Sequence, residues 1–196
     1  MTKTDETLES QLREMYGRVA YTHKTHEKMA DQHIARYKFI KRIEIVISAA
    51  SSTSLLFTVF GDGKAGAVVG AVFATILLGL LLYFKEASLG ELAQKHTAVA
   101  AKLWGVRERL LGVLVDFRRS SDSFAAIEAR NAINTELELL YRNAPRTDAK
   151  AYAAAQKALK HQEELYFSDS ELDHLLPKQL RTTMGNSSVN SSSPIS

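Results

Sequence analysis

Residues 65–84 read AGAVVGAVFATILLGLLLYF, twenty residues without one charged side chain. An α-helix rises about 1.5 Å per residue, so this run is about 30 Å long, the thickness of a bilayer's hydrocarbon core. Its eleven Val, Ile, Leu and Phe side chains favour insertion by roughly 3 to 7 kcal/mol in total, with no ionisable group opposing them. The competing reading is a helix buried in a soluble core, which seldom needs so long an uncharged run.

Working outward, residues 43–60 read IEIVISAASSTSLLFTVF. This segment is weaker: nine strongly apolar side chains are offset by Glu44 and a run of Ser and Thr. Gly61-Asp62-Gly63-Lys64 leaves room only for a tight turn. The spacing therefore predicts an antiparallel pair, Ile43–Phe60 and Ala65–Phe84, inserting together as a transmembrane hairpin. Lys24, Lys28, Arg36, Lys38, Lys41 and Arg42 precede it, Lys85, Lys95 and Lys102 follow it, and the turn has one lysine beside an aspartate. By the positive-inside rule both termini are cytosolic. About forty polar residues precede the first span, which is not the layout of a cleaved secretory signal.

The two spans differ in pattern. In the second, Gly66, Gly70 and Ala74 recur every four positions, a spacing that lets helix backbones approach closely in lipid; small residues are also simply common in membrane helices. In the first, Glu44, Ser48, Ser51, Leu55 and Thr58 share one face. Several copies around an axis would line a water-filled path with these residues, Leu55 acting as a constriction that gates by dewetting. The alternative is that the hydroxyls bond back to their own helix and Glu44 sits at headgroup level. Two helices enclose nothing, so a pore requires a homo-oligomer.

Beyond the membrane the second helix is expected to continue. Leu92, His96, Val99, Leu103, Val106, Leu110, Val113 and Phe117 alternate steps of four and three, a heptad seam. Leu8, Leu12, Met15, Val19, Thr22, His26, Met29 and His33 keep the same rhythm ahead of the first span. The two extensions should zip into an antiparallel stalk, placing His33 and His96 at similar depth with His26 two turns further out. His23 and His26 lie three apart, but no third ligand stands at good spacing, so no metal is expected. Further on, Asp122 or Ser123 caps a helix to about Asn143, with Phe124, Ile127, Ala132, Ile133, Leu137, Leu140 and Tyr141 as its apolar face. Thr147 opens an alanine-rich helix to about Tyr166, and Ser168-Asp169-Ser170-Glu171 forms a capping box before Pro177. The fold class is all-α membrane protein: residues 1–42 an N-terminal cytosolic amphipathic helix, 43–84 the hairpin, 85–181 a cytosolic helical region. Residues 182–196, rich in Ser and Asn, form a disordered tail. The glycosylation patterns at Asn186 and Asn190 are discounted for a cytosolic tail.

Composition excludes several classes. The chain has no cysteine, which removes disulfide and thiolate chemistry, and its net charge of +3 is too small to argue for nucleic acid. No nucleophile elbow, phosphate loop, dinucleotide fingerprint or zinc helix is present, so neither an enzyme nor a cofactor is expected. Arg107, Arg109, Arg118, Arg119, Arg130, Arg142 and Arg146 are numerous enough to hold an anion such as a nucleotide phosphate, although scattered arginines are more often a solvated or headgroup-facing surface.

A basic, histidine-containing helix from Tyr16 to Arg42, two closely spaced membrane helices, a long charged helix and a helical C-terminal region resemble the SLATT family of bacterial two-transmembrane effectors. The likeness includes Tyr141-Arg142-Asn143-Ala144-Pro145, the stretch around Ala151-Tyr152, and Leu175-Leu176-Pro177-Lys178-Gln179-Leu180, and covers about residues 8–181. The resemblance implies the executing arm of a prokaryotic anti-phage or conflict system, encoded beside nucleotide-second-messenger synthetases or sensors and perforating the inner membrane. It implies as partners the lipid bilayer, further copies of the chain, and a cyclic nucleotide or a separate sensor protein as trigger, with no catalytic residues to carry over.

Overall fold

The computed structural model describes residues 3–60, 64–120, 122–162, 165, 167–177 and 181. They form six α-helices: α1 (Lys3–Phe60), α2 (Lys64–Ala87), α3 (Leu89–Ser120), α4 (Ser123–Asn143), α5 (Ala149–His161) and α6 (Asp169–Leu175). No strand occurs among the described residues. The expected turn at 61–63 and the tail from 182 lie outside them, as does the side chain of Leu55. The chain divides into two compact units, Met1–Ala155 and Gln156–Ser196.

In the first unit, α1 runs without interruption from a polar N-terminal half into the apolar residues 43–60. Both α2 and α3 pack along it. Ser51 meets Gly70, His26 meets His96 and Glu9 meets Arg118, so partner numbers rise along α2 and α3 as they fall along α1. That order is antiparallel. The expected continuation of α2 into one long helix is corrected at Ser88, whose φ of 43° is a left-handed conformation unfavourable for a residue with a Cβ. The helical hydrogen bonds restart there, Leu92 N donating to the Ser88 carbonyl at 3.0 Å.

The heptad seam becomes the core. Leu8, Leu12, Met15 and Val19 of α1 meet Leu103, Val106, Leu110 and Phe117 of α3, and Ala126, Ile133 and Leu137 of α4 close the third side. Leu12, Leu103, Val106 and Leu110 have no exposed surface, each worth about 1.5–3 kcal/mol of burial. Polar ties set the register at the rim: Arg118 donates to Glu9, Arg130 to Gln11, and Ser123 Oγ to Asp5. Asp122 caps α4 by accepting from Ala125 N at 3.0 Å. The apolar face of α4 is narrower than expected, since Phe124 is 78 % exposed and Ala126 takes a core position instead. The start of α5 is set by Asp148 rather than Thr147: its carboxylate accepts from Ala151 N at 2.7 Å. Tyr152 stacks on Tyr21, and Ala151 and Ala155 are fully buried.

In the second unit α6 begins with the expected capping box, Ser168 and Glu171 each accepting from the other's backbone N–H. It ends at Leu175, where the Leu176 N–H bonds back to Leu172.

Two helices are long and apolar enough to cross a membrane, and their apolar windows are only 12 % and 6 % buried by the rest of the chain. A soluble core helix would be mostly covered; these are not. Where α1 and α2 do touch, contact is close. A Cβ built on Gly66 would lie 2.8 Å from Thr58 Oγ1 and 3.0 Å from the Ser54 carbonyl oxygen, whereas one on Gly79 would meet nothing. Gly66→Leu is therefore expected to cost about 1–3 kcal/mol and lower the thermal midpoint of the detergent-solubilised protein, and Gly79→Leu to leave it unchanged. Equal midpoints for the two variants would contradict the close approach.

Candidate functional site

The polar face of α1 within the apolar segment is divided by the packing of α2. Ser51 is buried and donates to the Gly70 carbonyl at 3.3 Å, and Thr58 is half-buried against Gly66 while bonding back to the Ser54 carbonyl at 3.1 Å. These two hydroxyls, expected to face a water-filled path, point towards α2. In an apolar layer a hydroxyl takes the nearest acceptor, and a glycine leaves its carbonyl accessible. Ser48 is exposed, and Glu44 is half-buried with its carboxylate 2.7 Å from Lys41 Nζ. Of the small residues expected at the helix contact, Gly66 and Gly70 are there and Ala74 is exposed.

The candidate anion-binding arginines do not converge. Arg118 and Arg130 hold Glu9 and Gln11 of α1, Arg142 pairs with Glu138 one turn back on α4, and Arg119 is exposed. Arg109 is bonded to Glu136 across α3 and α4. Arg107 differs: one guanidinium nitrogen reaches Glu108 at 2.6 Å while Nη1 is buried without a hydrogen-bond partner. Its charge acts on His23.

The most concentrated chemistry is a row of imidazoles between α1 and α3. His26 and His96 share a hydrogen bond between their Nδ1 atoms at 2.9 Å, so one nitrogen holds the proton and the other accepts it. His33 stacks on the far side of His96, ring centres 5.5 Å apart. His96 thus sits between two histidines that lie two turns apart on α1, rather than level with His33 alone. His23 extends the row, its Nε2 3.2 Å from the Glu27 carboxylate. All four are buried, His96 at 1 % exposure. The heptad seam placed three of them and the i, i+3 spacing placed His23 beside His26; Arg107 and Asp148 were not legible as neighbours because neither stands on the seam. No group of three His, Cys, Asp or Glu among the described residues is arranged to hold a metal ion.

Burial is the first cause lowering the pKa of all four histidines below the usual 6.5. His26, which also faces His96 and His23, falls to about 4. Arg36 lowers His33 further, and Arg107 and Lys24 lower His23. Glu27 opposes the shift at His23, and Asp148, at the start of α5, opposes it at His33 and His96.

Among protein families, the SMODS and SLOG-associating 2TM effector domain family 4 matches residues 8–171 of the chain. Comparison with curated proteins and with solved structures gave no match.

The imidazole row makes stability depend on pH. A histidine whose folded-state pKa is depressed binds fewer protons folded than unfolded, so its contribution is complete above about 6.5 and is lost as pH falls towards about 4. For His26 the loss is on the order of 3 kcal/mol. The thermal midpoint in detergent should accordingly drop between neutral pH and pH about 4–5. The paired change His26→Leu with His96→Leu removes donor and acceptor together and should flatten that slope. An unaltered slope in the double variant would show that the acid response arises elsewhere.

Proposed function

The chain is a member of the SLATT family of two-transmembrane effector domains, and from that premise we propose that it is a homo-oligomeric, pore-forming effector of a bacterial anti-phage or conflict system. It sits in the inner membrane with both termini in the cytosol. Residues 43–60 and 65–84 form the membrane hairpin, and the paired lengths of α1 and α3 form the cytosolic stalk. The observation that carries this reading is apolar surface on α1 and α2 left uncovered by the chain itself, with Glu44 and Ser48 at its cytosolic end. Lipid covers the first; a shared aqueous path gives the second a place.

On this reading Glu44 and Ser48 face the path, while Ser51 and Thr58, bonded within the chain, hold α1 against α2 at its wall. Copies meet through the stalk as well, where Trp104, Leu111 and Val115 stand exposed on α3 at steps of seven and four. The family's name speaks of association with SMODS and SLOG modules, and a separate partner of that kind, or the nucleotide it makes or senses, supplies the trigger. The trigger acts by binding the open arrangement better; a bias of about 5.5 kcal/mol over the assembly carries it from almost shut to almost open. Conduction then depolarises the cell.

A second reading has one observation in its favour: Ser51 and Thr58 are already satisfied inside the chain, as they would be in a hairpin that only anchors a partner-binding body. Ion flux across liposomes separates the two. A pore should conduct, and Glu44→Lys, which reverses the charge at its mouth, should shift selectivity towards anions. Membrane insertion without flux under any trigger, or flux whose selectivity ignores Glu44→Lys, would favour the anchor or move Glu44 away from the mouth.

A further inference from the structure

The break at Ser88 leaves a groove between the helices where the apolar stretches end. It has a volume of ≈ 450 Å³ and is lined by Phe39 and Ile43 of α1, Leu80 and Tyr83 of α2, and Leu89 of α3, with Arg36 at the end away from the apolar segment. Phe39 and Tyr83 are 62 % and 71 % exposed. Arg36 has no hydrogen bond or ion pair among the described residues. It stands seven residues before Ile43, about 10 Å along the helix, close outside a headgroup layer about 5–7 Å deep and within reach of it for a long side chain.

We propose that this groove is a binding site for one anionic phospholipid drawn from the surrounding bilayer. The acyl chain lies along Ile43, Leu80 and Leu89. The headgroup phosphate meets the planar guanidinium of Arg36, whose parallel N–H groups suit two phosphate oxygens at once. Phe39 and Tyr83 flank the junction as aromatic side chains do at a membrane interface. A second groove of ≈ 440 Å³, opening beside Tyr37, has a different character: Lys41 and Lys85 share it with Glu44 and Glu91, and Lys41 is already paired with Glu44. It offers an anion no net charge. Among the described residues the groove at Arg36 is lined by a cation and no carboxylate, and that asymmetry selects the ligand's sign.

A lipid seated there wedges between α1 and the α2–α3 break, joining the membrane segments to the stalk where the second chain of helices is interrupted. The inference rests on the membrane reading above, and its test distinguishes the failure of either. The full-length protein in a neutral detergent is titrated with phosphatidylglycerol, phosphatidylcholine or glycerol phosphate while its thermal midpoint is followed. Phosphatidylglycerol should raise the midpoint to a plateau, and Arg36→Gln should require about tenfold more lipid to reach it. Lys38→Gln, on the same helix but outside the groove, should titrate like the wild type. Arg36→Lys, which keeps the charge but loses the fork, should retain part of the preference, and covers the case in which Arg36→Gln folds poorly. An equal rise with phosphatidylcholine overturns the charge assignment. An equal rise with glycerol phosphate overturns the lipid in favour of a free phosphate. Identical curves for Arg36→Gln and wild type overturn the site. A chain that stays dissolved without detergent overturns the membrane reading itself, before any lipid is added.

Discussion

One helix of 58 residues ties the structure together, because the packing of α2, α3 and α4 is laid out against it. Its length is on the order of 90 Å, and it passes from the polar half to the apolar half without a break in the helix. A helix resists bending far more than a loop does, so a displacement at its buried polar end is felt at its apolar end. The opposing strand of the pair is not continuous: Ser88 divides it into α2 and α3. One rail is a single helix and the other is two helices joined at a left-handed residue.

What holds the rails together changes along their length. Near residues 8–19 the contact is a dry aliphatic core shared with α4, where Leu12, Leu103 and Leu110 exclude water entirely. Near residues 23–33 it becomes imidazole against imidazole, a contact whose strength depends on how many protons it holds. Near residues 51–70 it is a hydroxyl on a glycine carbonyl and a close backbone approach, the interaction that works in lipid because no hydrophobic effect competes there.

Much of this was legible in the sequence because it depends on period and length. The twenty uncharged residues from Ala65, the heptads from Leu8 and from Leu92, and the capping box at Ser168 each follow a local rule, and each appears where that rule puts it. Less was legible where a partner from elsewhere in the chain decides. A helical wheel puts Ser51 and Thr58 on one polar face but does not tell that both hydroxyls meet α2. Phe124 looks like core, but α4 meets α3 through Ala126, and only the crossing of the helices fixes that. Asp148 displaced Thr147 as a cap. The helix break at Ser88 was missed although Ser88-Leu89-Gly90-Glu91 has the Ser-x-x-Glu spacing of a helix start, because the apolar run before it and the heptads after it read as one continuous helix. The scattered arginines, read as one possible anion site, are spread along the stalk by the very spacing that made them look numerous.

The account stands on lipid being the solvent around α2 and the second half of α1. Collision measurements on nitroxides placed singly at Val68, Val72 and Ile76 test it most directly, because all three side chains are exposed in the chain and should contact hydrocarbon in liposomes. Dissolved oxygen, which concentrates in lipid, should relax each label strongly, while a water-soluble nickel chelate should hardly touch it. Ready access of the nickel chelate to all three positions would place these helices in water and contradict the account.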